Sequence, residues 1–376
     1  MKLSTKMLTL LLLFSFLCSN IISSNSIIDI DYEDNKIIEE TSIHFGPYPQ
    51  NPHDDSITIC WETSEKTILN TVYYGLTTNC EKNVSEKNPS NNSFHTVELM
   101  DLEKSMKYYY KVVSDGIESN IFSFYTSFAD NDSIRFIAYG DNRGEWDNWQ
   151  NARIVAKAIE KEQPHFVLNT GDLVHNGTIE EEWLHFFEAS SFIHNSTLYP
   201  VLGNHEEYGS YYFKYFKLPH NKRWYSFDSG PIHFIGLDSN YPNMIRPSQL
   251  FWLIKELRTT DKPFTIVFFH NPLYSSGNHG SYIPLRFYWG TFFQLNKVDI
   301  VINGHDHSYE RGKVLNVNYI VTGGGGGPLY DVGSSWWTVY SEKTYHYCLI
   351  EANESKLSFE AIKPDGTVID SFQIMN

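Results

Sequence analysis

The chain has 376 residues, of which 41% are hydrophobic and 16% aromatic, so it is long enough for two domains and a large hydrophobic core. Its formal net charge of −16 predicts an acidic surface, which argues against nucleic acid as a partner.

Residues 1–24 have the pattern of a secretory signal peptide. Lys2 and Lys6 precede an apolar run from Met7 to Leu17, and small and polar residues follow. The run is shorter than the ~20 residues of a usual membrane-spanning helix, so we expect cleavage rather than the alternative, an uncleaved anchor. Cleavage would remove two lysines and change the formal charge from −16 to −18. No later apolar run in the sequence is long enough for a span, so no membrane partner is expected after cleavage.

Glycosylation sequons agree with secretion, whereas the cysteines are not those of a disulfide-rich secreted domain. The sequence contains six Asn-x-Ser/Thr sequons, at Asn83, Asn91, Asn131, Asn176, Asn195 and Asn353. Outside the signal peptide there are three cysteines, too few for a disulfide scaffold. Cys60 and Cys80 could pair, which would leave Cys348 over.

Short strand patterns dominate residues 41–127, after a polar and acidic arm at 25–40. Alternating apolar and polar residues predict strands at 56–63, 70–75, 108–113 and 121–126. Several short strands separated by turn residues are typical of a β-sandwich. Since this segment has no cluster of catalytic residue types, we interpret it as a packing module.

From residue 134 onwards, strand patterns alternate with helix patterns, as in an α/β domain. Strands are predicted at 134–139, 165–169, 198–202, 233–237, 264–269 and 298–303. Helices are predicted at 149–162, at 180–189 and after Pro247. A hairpin of residues 356–362 and 368–374 closes the predicted domain, which spans 134–376.

Five of the predicted strands end in side chains that bind metals. These side chains are Asp141, Asp172, Asn204, His270, and the pair His305 and His307. Sheets of this kind bind ligands outside the carboxyl ends of their strands, so we expect the five ends to meet. Carboxylate, amide and imidazole donors together suit iron, zinc and manganese. Two metals ~3.5–4 Å apart need a shared carboxylate, and Asp172 is the best candidate because Gly171 permits close approach.

These segments, taken in order, resemble the five sequence blocks of the metallophosphoesterases, the calcineurin-like phosphoesterase superfamily. The blocks are Gly140-Asp141, Gly171-Asp172-Leu173, Gly203-Asn204-His205-Glu206, Val267-Phe268-Phe269-His270 and Gly304-His305-Asp306-His307. The run from Gly304 to Arg311 is similar to the purple acid phosphatase version. The resemblance implies a four-layer αββα sandwich at 134–376, preceded by an all-β fibronectin-III-like domain at 41–127.

The resemblance also implies a role for each block. The first metal would be held by Asp141, Asp172 and His307. The second would be held by Asp172, Asn204, His270 and His305. A metal-bound hydroxide would attack phosphorus in line, and His205 would protonate the leaving oxygen or stabilise the phosphoryl oxygens. His279 lies where the family often has a polar residue facing the substrate.

Two departures from the family concern the first metal. The family has a ferric-ion ligand, Tyr, where this chain has His175, and other metallophosphoesterases have His where this chain has Arg143. The first metal therefore either gains His175 as a ligand, which we favour, or keeps an open position. Arg143 would contact phosphate, with a surface salt bridge as the alternative. The expected cofactors are two metal ions, iron with zinc, manganese or a second iron, although the missing tyrosine removes the basis for a purple ferric centre.

The sequence thus predicts a secreted or endo-lysosomal acid phosphatase with two metals and a small phosphorylated substrate. A phosphodiesterase or nucleotide pyrophosphatase is the first alternative, because substrate choice lies in loops such as 240–246 and 275–284. A binding protein without activity is the second, and the intact ligand blocks together with His205 argue against it.

Overall fold

The computed structural model describes residues 41–87, 92–206 and 209–376. The predicted signal peptide at 1–24 and the arm at 25–40 lie outside the described residues. Within the described ranges, no helix is long and apolar enough to cross a membrane.

The N-terminal part of the described chain is a β-sandwich. Its strands are β1 (Ile43–Gln50), β2 (Ile57–Thr67), β3 (Asn70–Gly75), β4 (Lys82–Ser85), β5 (Asn92–Leu99), β6 (Lys107–Ser114), β7 (Ile117–Glu118) and β8 (Phe122–Tyr125). One sheet has the order β1-β2-β5, and the other has the order β4-β3-β6-β7 with β8 paired to β6. Side chains at alternate positions of the strands, such as Ile57, Ile59 and Trp61 of β2, form their shared core. The predicted sandwich is confirmed.

The second part is an α/β domain with two large sheets. Its strands are β9 (Ile134–Tyr139), β10 (Phe166–Asn169), β11 (Thr197–Pro200), β12 (Tyr225–Ser229), β13 (Ile232–Gly236), β14 (Phe264–Phe268), β15 (Ile300–Asn303), β16 (Tyr309–Val314), β17 (Val317–Thr322), β18 (Thr338–Glu342), β19 (Tyr347–Asn353), β20 (Lys356–Ile362) and β21 (Val368–Met375). Its helices are α1 (Gln150–Lys161), α2 (Glu180–Ala189), α3 (Ser210–Tyr215), α4 (Pro247–Thr259), α5 (Ile283–Leu285) and α6 (Thr291–Leu295), with single turns at Ser191–His194, Asn243–Ile245 and Arg286–Gly290. The sheet orders are β11-β10-β9-β19-β20-β21 and β12-β13-β14-β15-β17-β16-β18.

Strand β14 shows how the two sheets and the helices form layers. Phe264, Ile266 and Phe268 belong to the core that the two large sheets share, while Val267 belongs to a second core with buried residues of α4. Because successive side chains of a strand point to opposite faces, β14 is covered on both sides, and all of its residues except Thr265 are apolar. The predicted α/β sandwich is therefore confirmed.

The two parts of the described chain share a core. Phe45 of β1 stacks on Phe187 of α2 with ring centroids 4.1 Å apart, and the Tyr48 hydroxyl donates to the Tyr215 carbonyl oxygen at 2.8 Å. Cys60 belongs to this shared core, whereas Cys80 lies in the turn between β3 and β4. Cys60, Cys80 and Cys348 are free buried thiols, so the pairing considered from the sequence does not form.

Buried His346, directly before β19, makes the fold sensitive to acid. Its ring contacts Thr322 Oγ1 at 3.0 Å and the Thr344 carbonyl oxygen at 3.1 Å. Burial lowers the pKa of His346 to about 4. The unfolded chain therefore takes up a proton below the usual histidine pKa of ~6.5, and the folded chain does not until about pH 4. Stability is lost as the pH falls through this window.

We expect His346 to cost about 2 kcal/mol of unfolding free energy at pH 5 relative to pH 7.5. In His346→Gln, the unfolding free energies at pH 5 and pH 7.5, measured by urea denaturation, should differ by about 2 kcal/mol less than in wild type. His44→Gln, at an exposed position of β1, is the matched control. An unchanged pH dependence in His346→Gln would show that this histidine is not a source of acid sensitivity.

Candidate metal centre

The five predicted strand ends meet at one edge of the two large sheets. Strands β9, β10 and β11 are parallel neighbours, and so are β14 and β15. Their carboxyl ends lead into the loops that carry the donor side chains. These side chains are Asp141, Asp172, Asn204, His270, His305 and His307.

The donor atoms form two groups that share Asp172. In one group, ligand atoms of Asp141, Asp172 and His307 all lie within 4.8 Å of one another. In the other, the same is true of Asp172, His270 and His305. Asn204 adjoins the second group, since its Oδ1 is 3.0 Å from His270 Nε2.

Backbone carbonyls orient two of the imidazoles. His270 Nδ1 donates to the Thr170 carbonyl oxygen at 2.9 Å, and His307 Nδ1 donates to that of Pro328 at 2.7 Å. Each bond places a proton on Nδ1, so Nε2, which faces a carboxylate, is the atom available to a metal. His270 Nε2 lies 3.4 Å from Asp172 Oδ1, and His307 Nε2 lies 3.5 Å from Asp141 Oδ1. This is the arrangement of metal-binding histidines.

The electrostatics of the groups favour cations. Burial opposes the charged form of both residues, yet the pKa of Asp172 lies below its usual range and that of His270 rises to about 9, chiefly because the two face each other. Buried carboxylates and converging acceptor atoms are costly unless a cation compensates them. The donor set of carboxylate, amide and imidazole therefore fits a pair of metal ions.

Backbone geometry brings the donors this close together. Asp141, Asp172 and His305 have φ values of 56°, 55° and 72°, in the left-handed region that costs most residues energy. Gly203 is required beside them, because a Cβ there would lie 2.1 Å from Asp172 Oδ1. Strain at three donor residues is typical of a functional site.

His205 lies beside the shared carboxylate. Its backbone N–H donates to Asp172 Oδ1 at 3.1 Å, and its Nδ1 donates to the His175 carbonyl oxygen at 2.5 Å. Its Nε2 is 3.7 Å from Asp172 Oδ2, and 21% of the side chain is exposed. Burial lowers the pKa of His205, and Asp172 partly offsets that effect. Such a ring can reach both solvent and a group held at the centre.

Arg143 and His175 do not join the donor groups in the described part of the chain. His175 Nδ1 lies 2.9 Å from Arg143 Nη1 and 2.9 Å from Glu145 Oε1, and 43% of its side chain is exposed. Arg143 is buried, with its Nε 3.9 Å from Asp172 Oδ2. The structure thus brings Arg143 to the centre as a cation and places His175 at its rim.

His279 is near the second group. Its ring centroid is 4.3 Å from that of His305, and its backbone N–H donates to Asp306 Oδ1 at 2.7 Å. Tyr330, which the sequence pattern did not identify, stacks on His307 at 4.3 Å and meets the His279 ring edge-on at 5.3 Å. His279 and Tyr330 therefore lie next to each other and next to the donor histidines His305 and His307.

Glu206 is a second residue whose role the sequence pattern missed. Its carboxylate accepts the backbone N–H groups of Asp172 and Gly203 at 2.9 Å and that of Val174 at 3.1 Å. Burial and the neighbouring Asp172 raise the pKa of Glu206 to about 8. It holds two of the donor loops together, and its place in the Gly-Asn-His-Glu block was the available signal.

Family profiles match most of the described chain. That of the calcineurin-like phosphoesterases matches residues 134–309. That of the purple acid phosphatase N-terminal domain matches residues 46–126, and that of the iron/zinc purple acid phosphatase-like protein C matches residues 317–371.

Individual relatives point the same way. A phosphoenolpyruvate phosphatase from Allium cepa is 28% identical over 316 residues, which cover 73% of this chain and 64% of that protein. The Fe(3+)-Zn(2+) purple acid phosphatase 12 of Arabidopsis thaliana is 27% identical over 354 residues, which cover 80% of this chain and 74% of that protein. This chain thus spans less than two thirds of the Allium protein's length.

A solved structure shares the fold. The purple acid phosphatase from yellow lupin (Lupinus luteus) seeds superimposes with a TM-score of 0.74 at 23% sequence identity. The superposition covers 88% of this chain and 74% of the lupin chain. The sandwich followed by a two-sheet α/β domain is therefore an arrangement that both proteins have.

Proposed function

Because this chain belongs to the calcineurin-like phosphoesterases, with the N- and C-terminal domains of purple acid phosphatases, we propose that it is an acid phosphatase that hydrolyses small phosphate monoesters. The observation that carries the proposal is the pair of donor groups that share Asp172 at the strand ends. Many phosphatases have an active site with two metals bridged by one carboxylate.

We propose that one metal is held by Asp141, Asp172 and His307. The other would be held by Asp172, Asn204, His270 and His305. Bound at these positions, the two ions would supply an activated water molecule and positive charge for the phosphoryl oxygens. The name of the Arabidopsis relative supports iron with zinc, and iron with manganese or a second iron would suit the same donors. The ligand role predicted for His175 stays a prediction.

The chain's own residues would complete the reaction. Proton transfer requires a group within reach of the leaving oxygen, and His205 Nε2 lies at the edge of the centre. Its Nδ1 bond to the His175 carbonyl holds the ring in place, so Nε2 would carry the proton to the leaving alcohol. Arg143, with a buried guanidinium and an Nε free of hydrogen bonds among the described residues, would donate to a phosphoryl oxygen. His279, whose ring lies 4.3 Å from that of His305, would also contact the substrate.

We also propose a location and a domain division. A signal peptide at 1–24 would direct the protein to secretion or to the endo-lysosomal system, with sequons other than Asn176, which adjoins the site, as candidate glycan acceptors. The N-terminal domain would span 41–127 and the catalytic domain 134–376, which agrees with the end of β8 at Tyr125 and the start of β9 at Ile134.

The proposal is tested by comparing the hydrolysis of an aryl phosphate monoester with that of the matching diester. We expect the monoester to be preferred, the rate to be highest at acidic pH, and a chelator to abolish it. Preference for the diester would favour a phosphodiesterase or nucleotide pyrophosphatase instead. No turnover of either ester with both metals bound would favour a binding protein.

A further inference from the structure

The two donor groups differ in their surroundings, because a buried guanidinium, that of Arg143, lies beside the group of Asp141, Asp172 and His307. We propose that the metal position formed by Asp141, Asp172 and His307 has no fourth ligand among the residues that the structure describes. The guanidinium of Arg143 lies beside it as a fixed cation, so this position binds metal more weakly than the one formed with His270. The inference rests on the two-metal centre proposed above and concerns its asymmetry.

His175, the residue predicted as a further ligand of the first position, contacts Arg143 instead. If Arg143 Nη1 donates to His175 Nδ1, the histidine proton is on Nε2, which then has no lone pair for a metal. Glu145 Oε1 also lies 2.9 Å from Nδ1, but it makes no hydrogen bond among the described residues. His175 is in neither donor group, so it is not a ligand in this arrangement.

Arg143 is held where it is by several contacts. Its side chain is buried, its backbone N–H donates to the Asp172 carbonyl oxygen at 3.3 Å, and its guanidinium lies 5.8 Å from the Trp146 ring centroid. Glu145 Oε1 lies 3.6 Å from Arg143 Nη1. The side chain is therefore fixed next to the first position rather than turned to solvent.

A guanidinium keeps its charge at any pH at which the protein is folded. With Nε 3.9 Å from Asp172 Oδ2, it offsets part of the negative charge that would attract a metal and repels a cation in the adjoining position. The second position has Asn204, His270 and His305 in addition to Asp172. It has more donors and lies on the side of Asp172 that His270 faces.

The buried Nε of Arg143 has no hydrogen-bond partner among the described residues. A buried donor without a partner costs free energy, and an acceptor atom of a bound ligand would remove that cost. A phosphoryl oxygen bound at the centre would accept this N–H. The position that the family fills with a metal ligand would thus serve the substrate in this chain.

The test is calorimetric titration of the metal-free protein with Zn²⁺ alone, with the bound metal counted by mass spectrometry. Wild type should show two binding steps that differ in affinity by about tenfold or more. Arg143→Met should strengthen the weaker step by a similar factor. Arg258→Met, at an exposed position of α4, should change neither step. Arg143→Gln, which keeps a donor for His175, serves as a second variant in case Arg143→Met fails to fold.

Two further variants test which histidine is a ligand at the weaker position. His307→Ala should remove the weaker step alone, and His175→Ala should leave both steps unchanged. Loss of the weaker step in His175→Ala would make His175 a ligand and overturn the inference, as would an unaltered weaker step in Arg143→Met and Arg143→Gln. Two steps as expected without ester hydrolysis would count against the proposed function only.

Discussion

Replacing Asp172 by Asn is expected to lower kcat/KM for a phosphate monoester by at least about 10³-fold, or ~4 kcal/mol of transition-state stabilisation. Asp172 is the carboxylate that both donor groups share, so this change removes negative charge from both metal positions at once. Because Asn has nearly the same shape and can still accept the His205 backbone N–H at Oδ1, the fold should persist. The measurement is steady-state hydrolysis together with the metal content of the purified variant.

The control for this variant is Asp261→Asn, which removes a carboxylate from an exposed position between α4 and β14. It should retain the wild-type rate and metal content. Turnover by Asp172→Asn close to that of wild type, with two metals bound, would show that Asp172 is not the shared ligand.

Replacing His205 by Asn should reduce kcat by about 10²- to 10⁴-fold for an alkyl phosphate, as loss of a general acid does. An aryl phosphate with an acidic phenol needs little help from an acid, so its kcat should fall much less. His205 is in neither donor group, so the metal content should not change. The ratio of the two losses, measured in parallel, reports proton donation specifically.

His185→Asn, at a half-buried position of α2 away from the donor groups, is the matched control and should alter neither rate. Equal losses for the two substrates would assign His205 to charge stabilisation at the phosphoryl oxygens. A loss of bound metal would instead make it a ligand.

Much of the fold could be predicted because local sequence and tertiary environment agree. Strand β14 is apolar at nearly every position and is buried on both faces, so its sequence pattern predicts a buried strand. Helix α4 begins at Pro247, as predicted, since proline suits the first turn of a helix. Both elements are specified by their own residues.

Other strands depend on partners that the sequence does not reveal. Strand β1 contains Gly46, Pro47 and Pro49, and its register with β2 is irregular between Phe45 and Tyr48, where Gly46 and Pro47 lie. Strand β18 is only partly buried and pairs at the edge beside β16. Neither has the regular alternation from which a strand is recognised.

The candidate site shows the same division. Donors that follow apolar strands could be identified one by one, because strand ends of a parallel sheet converge. The contact of His175 with Arg143 and Glu145 could not, since it depends on how two loops from different strands pack. Tyr330 follows the glycine run at 323–327 with no pattern around it, and only the fold places its ring on His307.

The central claim, a phosphatase with two metals bridged by Asp172, is tested most directly by restoring metal to the metal-free protein in steps. Monoester hydrolysis would be measured after each equivalent of metal. We predict little turnover after the first equivalent and full activity only when two metals are bound per chain. Activity that is complete with one metal, or that survives the removal of both, would contradict the account.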